Sequence, residues 1–407
     1  MKFLEEIEKR MAPRGAARRS SWPPRRLSLA LQGGGSFGAF TWGVLDRLLE
    51  EESVAFDTVS GASAGAFNAV VLAAALAEGD RHLARERLER FWRRVSQTLG
   101  LNPFGTAARF APGAAAGTLS FWTSFLSPYQ FNPLDLNPMR TVLNEEVDFD
   151  SLRRPQALQL LLAATRVSDG RARIFRNDEI NAETILASAS LPLFHHAVKI
   201  DDDAYWDGGY SANPPLVDLA LASTAPDILI VQITPTRAAE TPMTSHDIIR
   251  RLGHITFNAS LQREMVAIDR LTEASRSTWA FLTPVGRKFR DLRQHHIAAE
   301  EALTDLYDAS EMNLSWDFLL RLHERGRAAA DNWLRQGAPD RSLANAPLSR
   351  LAALDAVLQA QKKPLRSFIG GKWPRGVAQQ RNKLRPKRTQ KPAEFSRPSP
   401  PPRPFSA

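Results

Sequence analysis

Two glycine-rich turns constrain the fold of this chain more than any other feature of its 407 residues. The first turn spans residues 33–38 (GGGSFG) and the second spans residues 61–65 (GASAG). Each follows an apolar run of strand length and precedes a longer apolar run of helix length. This repeated order of strand, turn and helix is typical of an α/β protein. We expect the strands at 27–31 and 56–60, and the helices at 40–49 and 66–77.

The second turn fits the G-x-S-x-G pattern of a nucleophile elbow, in which a serine occupies a sharp turn between a strand and a helix. Gly61 and Gly65 suit such a turn because it needs positive φ and a close approach of backbones, which a Cβ would resist. Ser63 would then lie at a helix N-terminus, where free N–H groups and the helix dipole favour developing negative charge. The pattern therefore predicts Ser63 as a nucleophile.

The first turn can supply what a serine nucleophile needs in addition. Acyl transfer to serine passes through a tetrahedral oxyanion, which requires donors already aimed at it. Gly33, Gly34 and Gly35 form a run that can direct successive backbone N–H groups toward one point. Together the two turns favour a serine acyl hydrolase built on an α/β sheet.

A different function fits the first turn alone. Gly33, Gly35 and Gly38 also match the dinucleotide fingerprint G-x-G-x-x-G, and Asp57 lies at a suitable sequence distance for a ribose contact. However, Asp57 falls at the start of the second predicted strand rather than at its end. The nucleotide-binding alternative also leaves Ser63 without a role.

A candidate for the partner of the serine occurs at Asp207-Gly208-Gly209, directly after two aromatic residues. At this position the chain leaves a strand, so the carboxylate can point into a cleft. Taken alone, an acid before glycine is typical of an ordinary turn. His195 and His196 lie between Ser63 and Asp207 in the sequence, so a triad that uses a histidine must also be considered.

Composition excludes several classes of protein. The chain has no run of 18 apolar residues, so no transmembrane helix is predicted. Residues 1–26 are charged throughout and do not resemble a secretory signal. The absence of cysteine excludes disulfides and thiol chemistry, and is consistent with a cytoplasmic protein.

The net charge of +9 is distributed unevenly. Residues 362–407 carry 13 Lys and Arg against one acid, a net charge of +12. Residues 1–26 carry eight against three, a net charge of +5, which leaves −8 for the middle of the chain. Basic tails of this kind predict an anionic partner.

The same boundaries organise the chain into an N-terminal basic arm (1–26), a folded domain (27–361) and a disordered, proline-rich basic tail (362–407). Residues 101–138 combine seven aromatic residues with five prolines. Two interpretations stay open for them: a lid or acyl-chain-binding loop, or a packed excursion of the chain. Residues 236–361 are predicted to be mainly helical.

The three motifs, in this order, resemble those of the bacterial patatin-like phospholipases. The resemblance covers the chain from about Leu27 to at least Val231 and includes the stretch 187–192, which precedes the Asp-Gly-Gly strand. It implies a three-layer α/β/α fold with a mainly parallel sheet and a helical C-terminal part.

The resemblance also implies the roles of the site residues. Ser63 would attack the acyl carbonyl and Asp207 would take its proton directly, so that His195 and His196 would be structural. The oxyanion loop would comprise Gly33, Gly34, Gly35 and Ser36, with the N–H groups of the last three as donors. The supporting motif glycines are Gly38, Gly61, Gly65, Gly208 and Gly209.

One position departs from the family pattern, because Phe37 stands where the family commonly has Arg or Lys. This weakens the case for a phosphate-bearing substrate and leaves neutral esters open. We expect a lipid acyl hydrolase of phospholipase A or lysophospholipase type, without cofactor or metal.

We expect this enzyme to be cytoplasmic and to act at the inner face of the membrane or on lipid bodies, with its basic tails on anionic lipid. Nucleic acid is the less favoured partner for the tails. The alternatives are an esterase, depolymerase or thioesterase on another hydrophobic acyl substrate, or a lipid-binding protein on an inactive hydrolase scaffold.

Overall fold

The structure of the protein is a computed structural model that describes residues 22–100, 127–238, 240–277, 283–300, 302–303, 306 and 312–337. All of them belong to the first of two structural units, Met1–Pro339. The predictions for the tail, for most of the 101–138 segment and for the arm before residue 22 lie outside the described residues.

A mixed eight-stranded sheet forms the centre of the domain. Its strands are β1 (Arg26–Leu31), β2 (Ala55–Gly61), β3 (Gln159–Arg166), β4 (Ala172–Phe175), β5 (Val198–Ile200), β6 (Asp203–Asp207), β7 (Asp227–Gln232) and β8 (Arg293–Ala298). The helices are α1 (Gly38–Leu49), α2 (Ala64–Glu78), α3 (Arg81–Gly100), α4 (Pro128–Phe131), α5 (Pro138–Glu146), α6 (Ala182–Ser188), α7 (Leu216–Ala222), α8 (Ser245–Ser277), α9 (Pro284–Asp291) and α10 (Trp316–Gln336).

The strands follow the order β5-β6-β3-β2-β1-β7-β8, with β4 paired to β3. Strands β3, β2, β1, β7 and β8 are mutually parallel. Parallel strands are buried on both faces, and every residue of β1 and β7 except Arg26 is accordingly buried.

Helices cover both faces of the sheet. Leu29 and Leu31 of β1 pack into a cluster with α1, α2, α3 and α10, whereas Ala30 packs with α7, α8 and α9 on the opposite face. In β7, Leu229 and Ile230 divide between the two faces in the same way. The predicted three-layer α/β/α fold is confirmed.

The pairing of β3 explains why β6, which comes late in the sequence, lies beside the turn that follows β2. Ala164 of β3 pairs with β4 on one side and with Asp207 of β6 on the other. Leu162 pairs with β4 and with Gly61, the last residue of β2. Strand β6 therefore lies on the same side of β3 as β2, just past the point where β2 ends. This register brings the Asp207 backbone next to the turn that follows β2.

One strand was not predicted and one boundary needs correction. The described part of residues 236–361 is mainly helical, as predicted, but it also contains strand β8 at residues 293–298. Its buried positions include His295, so the apolar alternation that signals a strand is weak. The predicted arm also ends too late, because the Trp22 indole donates to the Leu334 carbonyl over 2.7 Å and packs on Trp333 of α10.

Of the helices that the structure describes, none combines the length and apolar character needed to cross a membrane.

Candidate active site

The turn between β2 and α2 holds Ser63 in a strained conformation, with φ +52° and ψ −124°. Non-glycine residues seldom adopt positive φ, and such strain often occurs at functional sites. The turn is tight because α2 starts directly against β1: a Cβ at Gly65 would lie 2.1 Å from the Leu31 carbonyl oxygen. Ser63 is buried except for 8% of its surface. The geometry is that of a nucleophile elbow.

The loop after β1 packs directly on this serine. A Cβ at Gly33 would lie 2.7 Å from the Cβ of Ser63, and one at Gly38 would lie 2.6 Å from the Cβ of Ala64. Gly35 has φ +57°, in the region that favours glycine. The glycines are therefore needed both for the loop conformation and for its contact with the elbow.

The N–H groups of this loop are not equivalent. The Gly33 N–H donates to the Asn213 side-chain oxygen over 2.7 Å, so it is already engaged. Among the described residues, the N–H groups of Gly34, Gly35 and Ser36 have no acceptor. Three successive donors therefore remain available beside Ser63, while Gly33 takes part in fixing the loop.

Asp207 ends strand β6 and is completely buried. Its Oδ1 accepts the Gly209 N–H over 2.7 Å, whereas its Oδ2 has no hydrogen-bond partner among the described residues. Burial raises the pKa of Asp207 to about 7, although the Gly209 N–H and the Ser63 hydroxyl both lower it. The two side chains are thus close enough to interact, but the serine does not complete a hydrogen bond to Oδ2.

The C-terminal end of α6 and the residues that follow it connect the two halves of the site. The Ser188 hydroxyl accepts the Ser63 N–H over 3.0 Å and donates to the Ala163 carbonyl over 2.6 Å. Two residues later, the Ser190 carbonyl accepts the Asp207 N–H over 2.9 Å. No role was predicted for Ser188 or Asn213. Their only signal was that they lie close to the recognised motifs.

The Asp-Gly-Gly turn is also closely packed. A Cβ at Gly208 would lie 2.1 Å from the Ala163 carbonyl oxygen, and one at Gly209 would lie 2.4 Å from the Phe257 ring. Both glycines therefore allow β6 and α8 to approach, and this contact places α8 beside Asp207.

The two histidines lie outside this pair. His196 stacks on Tyr129 at 4.1 Å, and its Nε2 is 3.1 Å from the Pro128 carbonyl oxygen. Burial lowers the pKa of His195, whose Nδ1 has no partner in the described part of the chain. Neither histidine hydrogen-bonds to Ser63 or Asp207 in the structure as described.

Phe37 is buried and packs edge-on against Phe318 of α10, with 6.2 Å between the ring centroids. The apolar residue at this departure from the family pattern therefore serves packing. In the described residues, no group of three or more His, Asp or Glu is arranged to hold a metal ion.

The position of Asp57 does not support the nucleotide-binding alternative. Asp57 lies opposite the first half of β1, whereas the glycine loop follows the end of that strand. The separation is about five residues of a strand, or roughly 16 Å. The Asp57 carboxylate is instead occupied by donors from residues 223–225.

Residues 29–220 match the family model of the patatin-like phospholipases. The uncharacterized protein YjjU of Escherichia coli (strain K12) is 26% identical over 232 residues, which cover 56% of this chain and 58% of that protein. This chain thus spans little more than half the length of that relative.

Among solved structures, the crystal structure of VipD from Legionella pneumophila aligns with a TM-score of 0.37 and 14% identity. The alignment covers 77% of this chain and 67% of VipD. The matched region, 29–220, contains both glycine turns and the Asp-Gly-Gly motif. The predicted resemblance is confirmed, because residues 29–220 match the family model of the patatin-like phospholipases.

Proposed function

We propose that this protein is a serine lipid acyl hydrolase that uses a Ser63–Asp207 dyad. The observation that carries the proposal is the state of Asp207, whose Oδ2 is buried, unpartnered in the described structure and adjacent to the nucleophile elbow. A carboxylate with a pKa near 7 is a far stronger base than an ordinary aspartate, so it can compete for a serine proton.

The reaction follows from these positions. The Ser63 Oγ attacks the acyl carbonyl carbon as its proton passes to Asp207, and the tetrahedral oxyanion accepts N–H groups from Gly34, Gly35 and Ser36. Collapse breaks the ester bond, and Asp207 returns the proton to the leaving alcohol. Water then attacks the acyl-serine with Asp207 again as base, which releases the carboxylic acid and restores Ser63.

The substrate class that we favour is a phospholipid or lysophospholipid, cleaved as by a phospholipase A. Phe37 favours a second candidate, because its packing against Phe318 puts no cation at that point of the oxyanion loop. Neutral esters, polyesters or thioesters with hydrophobic acyl groups would use the same dyad. Rates on phospholipids, acylglycerols and short-chain esters would separate these classes.

The test of the nucleophile uses labelling by a fluorophosphonate. Ser63→Ala should abolish both labelling and ester hydrolysis, whereas Ser60→Ala, a buried serine in β2, should keep both. Labelling of the Ser63→Ala protein at the wild-type level would reject the dyad. If the folded wild-type protein is neither labelled nor active on any ester, it is a lipid-binding protein on an inactive scaffold.

We further propose that the basic tails hold the enzyme on anionic lipid at the cytoplasmic face of the membrane or on lipid bodies. Each Lys or Arg near an anionic surface contributes about 1 kcal/mol, and residues 362–407 carry a net charge of +12. A chain that ends at Gln361 should keep its rate on a soluble ester but lose binding to anionic vesicles. Equal sedimentation of both chains with such vesicles at low salt would reject this role of the tail.

A further inference from the structure

The first three turns of α8 carry an apolar face that points outward. Ile248, Leu252 and Ile255 follow one another at spacings of four and three residues, and Ile249 adjoins them. These four side chains are between 42% and 66% exposed. A surface helix normally directs charged and polar residues to this side. The outward face of residues 248–256 is called the apolar rim below.

The apolar rim belongs to the end of the domain that holds the site. The Asn258 side chain contacts Gln32 and Gln232, at the ends of β1 and β7. Further along α8, Asp269 accepts from Gln294, near the start of β8. Helix α8 therefore runs opposite to these strands. The residues before Asn258 extend beyond the edge of the sheet at which the Ser63 turn lies.

The contact with the site is direct. The Phe257 ring closes over Gly209 and packs edge-on against Tyr210 at 5.2 Å. Phe257 follows the last residue of the apolar rim by one position, so the rim begins immediately beside the turn that carries Asp207.

The same helix changes character away from the site. Beyond Asn258 the outward positions include Gln262, Arg263 and Arg270, all exposed. The inward face keeps its apolar residues throughout, with Leu261 and Ile268 buried. Val266 and Leu271 are also exposed there, but they are separated by four positions that include exposed polar residues, so the group of four exposed apolar residues lies in the part of α8 that borders the site.

A second exposed apolar segment lies near Asp207. It follows α4 and includes Leu134 and Leu136, which are 77% and 71% exposed. Tyr129 of α4 stacks on His196, whose carbonyl accepts the Ser190 hydroxyl. The Ser190 carbonyl in turn holds the Asp207 N–H.

We propose that the apolar rim of α8 docks on a lipid surface, with residues 129–136 as a second contact, and thereby presents the site to acyl chains in that surface. The inference rests on the proposed function and adds the part of the fold that meets the substrate phase. Docking by the rim is distinct from the electrostatic role of the basic tails.

Charge and size favour lipid over a protein partner. The apolar rim itself carries two arginines and no acid, although Arg250 pairs with Asp247 just before it, so this part of the helix is weakly basic, as suits the headgroup region of a membrane. Four half-exposed aliphatic side chains present a few hundred Å², whereas a stable protein interface buries about 1,200 Å² or more. A bilayer interface needs no shape complementarity and can accept a patch of this size.

The test compares two double variants of the full chain in the same helix. Ile249→Gln with Leu252→Gln alters the rim, and Val266→Gln with Leu271→Gln is the control at positions that are 45% and 41% exposed. Glutamine retains helix propensity, so each change removes apolar surface alone. Binding to neutral phosphatidylcholine vesicles is measured at high salt, where attraction by the tails is screened. A Ser63→Ala background prevents hydrolysis.

The rim variant should bind these vesicles roughly tenfold more weakly, given the apolar area removed. The control should stay within about twofold of wild type. With Ser63 intact, the rim variant should keep its rate on a soluble monomeric ester and lose rate on vesicle substrate.

Equal vesicle binding by rim variant and wild type, or no binding by wild type, would overturn the proposal. So would a rim variant that changes only the self-association of the protein, since a second copy would then cover the rim. A retained difference in vesicle binding, combined with no ester hydrolysis by wild type, would reject the proposed hydrolase and leave the docking surface standing.

Discussion

Two aspartates at opposite ends of the central strands, one partly buried and one completely buried, have opposite electrostatic states. Asp57, beside the first half of β1, accepts hydrogen bonds from the Thr224 N–H and hydroxyl, each over 2.7 Å, and from the Ser223 hydroxyl over 3.1 Å. Asp207, just past the end of β2, accepts one backbone N–H, and its other oxygen has no partner in the described residues.

The difference shows how burial can serve stability at one place and chemistry at another. At Asp57 burial alone would raise the pKa, but the hydrogen bonds from Thr224 and Ser223 outweigh it and hold the pKa below its ordinary value. At Asp207 burial dominates, and the pKa rises to about 7. Hydrogen bonds stabilise the ionised form of Asp57, and this stabilises the fold. Burial destabilises the ionised form of Asp207, which is therefore a stronger base than an ordinary aspartate.

The largest expected effect is on catalysis by Asp207→Asn. The comparable Asp-to-Asn change in a serine-protease triad lowers kcat by about 10⁴, and we expect a loss of similar size because the amide cannot accept the Ser63 proton. The same change should raise the free energy of unfolding at pH 8 by up to roughly 4 kcal/mol, since it removes a buried charge. Denaturant unfolding and steady-state kinetics on one preparation measure both.

A variant that loses activity together with stability would show only that Asp207 is structural. Asp207→Asn with near wild-type kcat would remove the aspartate from the proposed reaction.

The pH profile of the wild-type enzyme gives the next largest effect. Asp207 must be ionised to act as a base, so kcat/KM should fall about tenfold per pH unit below 7 and level off above it. An acid limb near pH 4, as for an ordinary aspartate, would contradict the raised pKa.

The pH dependence of stability has the opposite sign for the two aspartates. The pKa of Asp207 is raised on folding, so its contribution is most favourable at low pH and is lost as pH rises toward 7. The pKa of Asp57 is lowered, so its contribution is present above the unfolded value of about 3.8 and is lost as pH falls.

Asp57→Ala should destabilise the fold without changing the chemistry. It removes the acceptor of the Thr224 N–H, the Thr224 hydroxyl and the Ser223 hydroxyl, and each lost hydrogen bond costs about 0.5–1.5 kcal/mol. We expect a loss of roughly 2–3 kcal/mol in the free energy of unfolding, with kcat per folded molecule within about threefold of wild type. A kcat that fell by orders of magnitude in well-folded protein would link Asp57 to the reaction.

Much of this site could be predicted from the sequence because its turns are local. The strain at Ser63 and the close approach at Gly65 both require glycines within a few residues, so the pattern is visible in five letters. The central strands and helices followed from continuous apolar runs that the structure reproduces to within two or three residues.

What could not be predicted depends on contacts between distant residues. The Gly33 N–H is engaged by Asn213, 180 positions away, so the loop offers different donors than its glycines alone suggest. Strand β8 was not predicted because His295 occupies one of its buried positions and interrupts the alternation of apolar and polar residues. The outward apolar face of α8 could not be predicted either. Ile249 and Leu261 are both aliphatic residues of one helix, and only the packing of α8 on the sheet makes Leu261 buried and Ile249 exposed.

The smallest expected effects concern the histidines, and they test whether Asp207 acts alone. A triad would need a histidine between Ser63 and Asp207, but His196 contacts Tyr129 and the Pro128 carbonyl instead. His196→Gln can keep a hydrogen bond to that carbonyl, so we expect kcat within about threefold of wild type and a small loss of stability. His195→Gln provides the matched comparison at the adjacent position, with the same expectation. If either variant is well folded by circular dichroism but loses activity as severely as Asp207→Asn, the proton passes through that histidine. The contrast between Asp57 and Asp207 would then describe stability alone.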